Sequence, residues 1–147
     1  MNVICTTTED QLQDAFSIRK AVFVEEQKVP IELEIDEFED QSTHFVLYDG
    51  LTPVGAGRFR ILDQVGKVER ICILSSHRGN GSGKLIMQSI EKFAMKQNLQ
   101  TLKLNAQTYA IPFYEKLGYK VVSDEFLDAG IPHKAMVKTI VKSKAVI

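Results

Sequence analysis

No run of apolar residues in this 147-residue chain approaches the roughly 20 needed to cross a bilayer, so a membrane-spanning helix is not expected. The opening stretch, "MNVICTTTEDQ", lacks a basic region followed by a long apolar one, and does not read as a signal peptide. Charge of one sign is also missing. Lys and Arg number 18 against 19 Asp and Glu, for a net charge of −1, so no basic field points to nucleic acid or to an anionic membrane. Any anionic ligand must then be held by a local site. Only two cysteines occur, Cys5 and Cys72, far apart and without metal-ligand spacing, so no metal site is expected. Both read as small buried strand residues in a reducing compartment, and a cytoplasmic protein is expected. No repeat, linker or low-complexity tract breaks the chain. Its length suits a single domain over residues 1–147.

What is present is a regular alternation of strand and helix signals. Residues 2–7 read as a short strand. A helix follows, capped by Thr8 or Thr7, with Leu12, Ala15, Phe16, Ile18, Ala21, Val22 and Phe23 at helical spacing. The acidic stretch 28–42 reads as a surface loop with room for a helical turn. "THFVLYDGLTPVGAGRFRIL" is a hairpin around Asp49-Gly50. "KVERICILS" is a strand whose alternation sets Val68, Arg70, Cys72 and Leu74 on one face and Glu69, Ile71 and Ile73 on the other. A helix to about Gln97, a strand over 99–106, a short helix ended by Gly118, and strands over 119–123 and 133–141 complete the chain. "FLDAGIP" reads as the loop between the last two. The order implies a mixed sheet carrying helices.

The segment "SSHRGNGSGKLIMQSIEKF", residues 75–93, places three glycines ahead of an amphipathic helix. It is not a Walker A loop. Arg78 stands where the first glycine belongs, and Leu85 where the metal-binding Ser or Thr belongs. Nor is it a dinucleotide fingerprint, since Lys84 replaces the third glycine. What remains is R-x-x-G-x-G, from Arg78 through Gly81 to Gly83. Small residues let backbone N–H groups converge on an anion at a helix N-terminus, and a pyrophosphate fits. A ligand-free turn has the same glycines, so the loop alone leaves both readings open. A second pattern, A-x-x-F-Y-x-K-x-G-Y, runs from Ala110 to Tyr119. Tyr114 on its own would be a core aromatic with its hydroxyl at the surface.

Together, in this order and about thirty residues apart, the two patterns resemble the GNAT superfamily of acetyl-CoA-dependent N-acetyltransferases. "RKAVFVEEQKVP", "DAGIPHKAM" and "NAQ" are most similar to its small bacterial ElaA-like and YjcF-like members. The resemblance implies an α/β (α+β) fold with a mixed, mostly antiparallel sheet of about six to seven strands, splayed at its centre and flanked by helices. It implies acetyl-CoA as cofactor, CoA as product, and a small-molecule or peptide amine as acceptor, with no nucleic acid and no membrane partner. A homodimer through edge strands or the C-terminal strand is compatible with it.

Residue by residue, the resemblance assigns the pantetheine arm to the backbone of Ile71, Cys72 and Ile73. The pyrophosphate falls to Arg78, Gly79, Asn80, Gly81, Ser82 and Gly83. Pro112 and Phe113 would wall the cofactor, and Tyr114 would protonate the departing thiolate. Phenol and thiol have ordinary pKa values of about 10 and 8.5, so hydrogen bonding to the thiolate describes that role equally well. Gln107 stands where the family often has an asparagine, and Asn105 is its possible substitute; Ser75 replaces a common proline. An alkylammonium is mostly charged at pH 7, so a base is wanted. Glu69 is the family's position for one, although a strand glutamate paired with a neighbouring Arg or Lys explains it as well. His133 competes through its pKa, against the alternative of an exposed loop histidine. Glu26 and Arg58 are the candidate acceptor-binding residues. The acids between Glu25 and Asp40 would favour a cationic amine, or form a solvated charge run. An acyl-CoA-binding module without catalysis is the alternative to an enzyme.

Overall fold

The computed structural model describes residues 1–140; the predicted end of the last strand at Val141 lies outside them. The chain divides into two compact units, Met1–Arg60 with Val68–Ile90, and Ile61–Lys67 with Glu91 onward. Eight strands and four α-helices occur among the described residues, in a mixed α/β fold whose sheet is mostly antiparallel. No helix among them is long and apolar enough to cross a membrane.

In the first unit, β1 (Asn2–Cys5), β2 (Thr43–Asp49), β3 (Thr52–Leu62) and β4 (Val65–Ile73) lie in that order. The β2–β3 hairpin pairs Asp49 with Thr52, and Gly50 takes φ 61° at its first central position, where a side chain would be disfavoured. Helix α1 (Glu9–Arg19) opens with a capping box: Gln11 N–H donates to the Thr8 hydroxyl at 3.2 Å, and the Gln11 side chain accepts from Thr8 N–H. It runs into a π-helical segment, Lys20–Glu26, closed by the i→i+5 bond from Gln27 N–H to the Val22 carbonyl. Ala15, Ile18 and Val22 pack with Val46, Ala56 and Cys72 as the core on one face of the strands.

The other face of β3 carries glycines where helix α3 (Ser82–Lys96) approaches. A Cβ on Gly57 would lie 2.8 Å from Ile71, 3.1 Å from Ile86 and 3.2 Å from Ile90. Bare backbone at this position lets the helix sit close to the sheet.

The segment between α1 and β2 uses the room for a helical turn that its sequence left. It holds a helical turn, α2 (Ile31–Glu34), and a 3₁₀ turn, Glu39–Gln41. Cys5 departs from expectation: it lies at the exposed end of β1, whereas Cys72 is buried. Terminal strand residues have one neighbour fewer to cover them.

In the second unit, β5 (Thr101–Gln107) pairs antiparallel with β8 (Ile131–Thr139), and Leu102, Leu104 and Ala106 alternate inward. After α4 (Ile111–Lys116) come β6 (Lys120–Val121), which pairs with β8, and β7 (Phe126–Asp128), which also pairs with β8. The "FLDAGIP" stretch, expected as a loop, is therefore strand at both ends, Phe126–Asp128 in β7 and Ile131 and Pro132 in β8. Ala129 and Gly130, at φ 52° and 76°, form the two-residue turn joining β7 to β8.

Candidate functional site

The glycine loop leaves β4 through a 3₁₀ turn, Ser75–His77, and enters the fifteen-residue α3. Gly79 and Gly81 adopt φ 78° and 86°, and no atom stands within 4 Å of where a Cβ would be on either. The loop is open and exposed at a helix N-terminus, where backbone N–H groups can meet an anion. Asn80 organises its exit: its Oδ1 accepts from the Ser82 N–H at 3.2 Å and from the Ser82 hydroxyl. Ser82 is itself buried, so its two donors serve the loop's shape.

Arg78 projects beside this loop. Its Nε donates to the Ile73 carbonyl at 2.9 Å, while Nη1 and Nη2 fork onto the two oxygens of Glu26 at 2.7 and 2.6 Å. The Glu26 carboxyl is held below its ordinary range by that hydrogen-bonded guanidinium. Glu26, expected toward an acceptor, is thus engaged with the cradle arginine.

Strand β4 corrects the predicted alternation. Arg70 takes φ 58°, the left-handed region, in mid-strand. Such a residue breaks the pleat, so that it and the residue before it reach the same side. Arg70 Nε and Nη2 donate to the Glu34 carbonyl at 3.2 Å, and Nη2 reaches Asp36 Oδ2 at 3.2 Å. Glu69 is on that side too, accepting on Oε1 from Arg58 Nη2 at 3.0 Å and Arg60 Nε at 2.8 Å. Beyond the bulge, Cys72 joins the α1 core, while Ile71 and Ile73 face Gly57 and Gly55. Glu69 therefore does not share a face with Ile71 and Ile73. Burial pushes the Cys72 thiol up to about 12, so it stays a neutral packing group.

The acidic segment is only partly solvated. Glu34 is buried, and its Oε1 accepts from Arg19 Nε at 2.7 Å. Arg19, fully buried, also donates through Nη1 and Nη2 to Glu39 at 2.9 and 2.8 Å, and to the Glu34 carbonyl at 2.9 Å. Arg58, likewise buried, donates to Asp36 at 2.7 and 3.0 Å and to Glu39 at 3.0 Å. Burial pushes the Glu39 carboxyl up, but hydrogen bonds and charge from Arg19 and charge from Arg58 prevail and bring it to about 2. Burial alone would lower the Arg58 guanidinium; Asp36, Glu69 and Glu39 outweigh it and raise it. Arg58 is thus the hub of an internal network. Arg19 was not anticipated as part of it, although Ala15, Arg19 and Val22 recur at helical spacing and put the arginine on the buried stripe.

The remaining candidates belong to the second unit. Tyr114 sits near the end of α4, buried, with edge-on contacts to Phe113 and Tyr119 at centroid distances of 5.0 and 5.9 Å. A Schellman motif fixes it: Tyr119 N–H donates to the Tyr114 carbonyl at 3.1 Å, Gly118 N–H to that of Glu115 at 3.0 Å, and Gly118 takes φ 97°. Pro112 lies exposed in the first turn of the helix, Asn105 is exposed on β5, and Gln107 ends that strand. His133 is not in a loop. It is buried on β8 opposite Gln107, stacked on Phe126 at 6.0 Å, with Nδ1 2.6 Å from the Ile131 carbonyl oxygen. The unseen strand β7 supplies that cover. Among the described residues, no group of His, Cys, Asp and Glu could hold a metal ion.

The acetyltransferase (GNAT) domain model matches residues 6–140, spanning both units. The chain belongs to the GNAT acetyltransferase family. It is 55% identical over 139 residues to the uncharacterized N-acetyltransferase YjcF of Bacillus subtilis, covering 94% of this chain and 99% of that one. Among solved structures, Escherichia coli ElaA superposes with a TM-score of 0.82 at 21% identity, over 93% of this chain and 97% of that one. An aminoglycoside 6′-N-acetyltransferase complexed with coenzyme A gives a TM-score of 0.77 at 18% identity, over 99% and 100%. At those identities the two structures establish the shared GNAT fold. Within this fold, the strand–loop–helix bearing Arg78 to Gly83 and the helix bearing Tyr114 are as the sequence led one to expect.

Proposed function

We propose that the chain is an acetyl-CoA-dependent N-acetyltransferase acting on a primary amine of a small molecule or peptide by direct attack on the thioester. The observation that carries the reading is the loop at the start of α3: Gly79 and Gly81 hold left-handed backbone with open space before them, in a chain of acetyltransferase family. These residues fit a pyrophosphate, with the N–H groups of Gly79, Asn80, Gly81 and Gly83 as donors and Arg78 as the adjacent charge. The backbone of Ile71, Cys72 and Ile73 serves the pantetheine arm, with Asn105, Gln107, Pro112 and Phe113 as further cofactor contacts. When bound, acetyl-CoA supplies the activated acyl group. The amine nitrogen bonds to the acyl carbon as the carbon–sulfur bond breaks, and Tyr114 gives its phenolic proton to the sulfur. Glu69 accepts the ammonium proton on Oε2, since Oε1 is taken by two arginines while Oε2 has one long contact, 3.5 Å, to Arg60. His133 is the second candidate for that proton. Unpaired Cys5 and Cys72 suit a cytoplasmic setting.

Thiol release from acetyl-CoA across a panel of amines tests this reading, with Tyr114→Phe alongside. Turnover by the native chain and a fall in kcat of about 10²–10⁴-fold in the variant, with CoA affinity kept, are expected. Full turnover by Tyr114→Phe would remove the tyrosine from the mechanism. The arginine-bound state of Glu69 favours a second reading, a non-catalytic acyl-CoA-binding module. CoA binding without turnover on any amine would select it.

A further inference from the structure

Glu26 ends the π-helical segment that prolongs α1, and its carboxylate fills the fork of Arg78 with both oxygens, at 2.7 and 2.6 Å. Arg78 is meanwhile anchored through Nε on the Ile73 carbonyl at the end of β4. The guanidinium is therefore held beside the glycine loop with its two-pronged edge presented to a carboxylate. A phosphate presents the same pair of acceptor oxygens to such an edge. Both side chains of the pair are over two-fifths exposed, 42% and 46%, where ion pairs contribute little net energy and exchange readily. The segment bearing Glu26 is π-helical, a geometry that is rare and frequent at functional sites.

We propose that Glu26 is a positioning residue for the cofactor cradle: it holds Arg78 at the loop in the cofactor-free protein and competes with the pyrophosphate for it. The inference rests on the acetyl-CoA reading. A pyrophosphate at the loop brings at least two negative charges toward the Glu26 carboxylate, so the bound state replaces one anion at Arg78 by another. Removing the Glu26 charge removes both the competitor and the repulsion.

Calorimetric titration of the native chain and of Glu26→Gln with CoA and with pantetheine, which lacks the pyrophosphate, tests it. At low ionic strength the variant should bind CoA about three- to tenfold more tightly, and pantetheine unchanged. The CoA gain should shrink as salt is raised toward about 0.5 M. Unchanged or weaker CoA binding by the variant would overturn the competition while leaving the cofactor reading intact. An equal gain for pantetheine would overturn it as well, because the effect would not lie at the phosphates. If the native chain bound no CoA, the cofactor reading would fall and this inference with it.

Discussion

Arg19→Met is the sharpest test of the buried charge network. Methionine keeps the apolar stem of the arginine and removes the guanidinium with its four hydrogen bonds, to Glu34 Oε1, the Glu34 carbonyl and both oxygens of Glu39. Glu34 then stays buried, its Oε2 already without a hydrogen-bond partner and its Oε1 left with Arg70 Nε at 3.4 Å. Taking one partner from a buried pair costs about 3–5 kcal/mol, because the other charge is left unpaired. Against a total stability of about 5–15 kcal/mol, that lowers the melting temperature by roughly 6–20 °C. Urea unfolding at pH 7 measures it. Replacing Glu34 as well, in Arg19→Met/Glu34→Leu, should recover much of the loss, since an apolar replacement of both partners is often near neutral. Acid makes an independent check. Glu39 has a folded value of about 2 against an ordinary 4.5, so its contribution is present above about pH 4.5 and is lost as pH falls through 2. Without Arg19 that acid-dependent swing should shrink. A loss under about 1 kcal/mol in the single variant, or a double variant worse than the single, would refute the reasoning.

Gly57→Ala should destabilise by about 1–3 kcal/mol in thermal or urea unfolding, since its Cβ would meet Ile71, Ile86 and Ile90 at 2.8–3.2 Å. An unchanged midpoint would mean that α3 shifts without cost. In thiol titration with an aromatic disulfide, one cysteine should react in the native chain and the second only in denaturant, because Cys5 is exposed and Cys72 buried. Two fast thiols would show that the core around Cys72 opens.

The sequence made the fold legible wherever local chemistry and periodicity agreed. Thr8 caps α1 as expected, Asp49-Gly50 turns the β2–β3 hairpin, and Gly118 ends α4 in a left-handed residue. Strand β7 escaped because Phe126–Asp128 is only three residues long, and its turn uses Ala129 at positive φ, which is not a glycine signal. That omission hid the burial of His133, which β7 covers through Phe126. The acidic run escaped for another reason. Whether an acid is solvated depends on arginines remote in sequence, and Arg19 and Arg58 lie 15 and 22 residues from the partners they hold at Glu34 and Asp36.

The kink at Arg70 couples β4 to the acidic segment. A left-handed non-glycine residue costs about 1–2 kcal/mol, and alternation gives no warning of it. Here its side chain is held by the Leu33 and Glu34 carbonyls and by Asp36, so the α2 turn and the strand kink stabilise each other. The kink also delivers Glu69 to Arg58 and Arg60 instead of to the isoleucine face. On the opposite face, away from Ile71 and Ile73, Arg19, Arg58, Arg60 and Arg70 meet Glu34, Asp36, Glu39 and Glu69, four charges of each sign. Glu34, Asp36 and Glu39 thus act mainly on the arginines beside them, while Glu25, Glu32, Glu37 and Asp40 stay exposed on the same run. The outward field of the run is therefore carried by those exposed acids, while the arginine-held ones serve the fold.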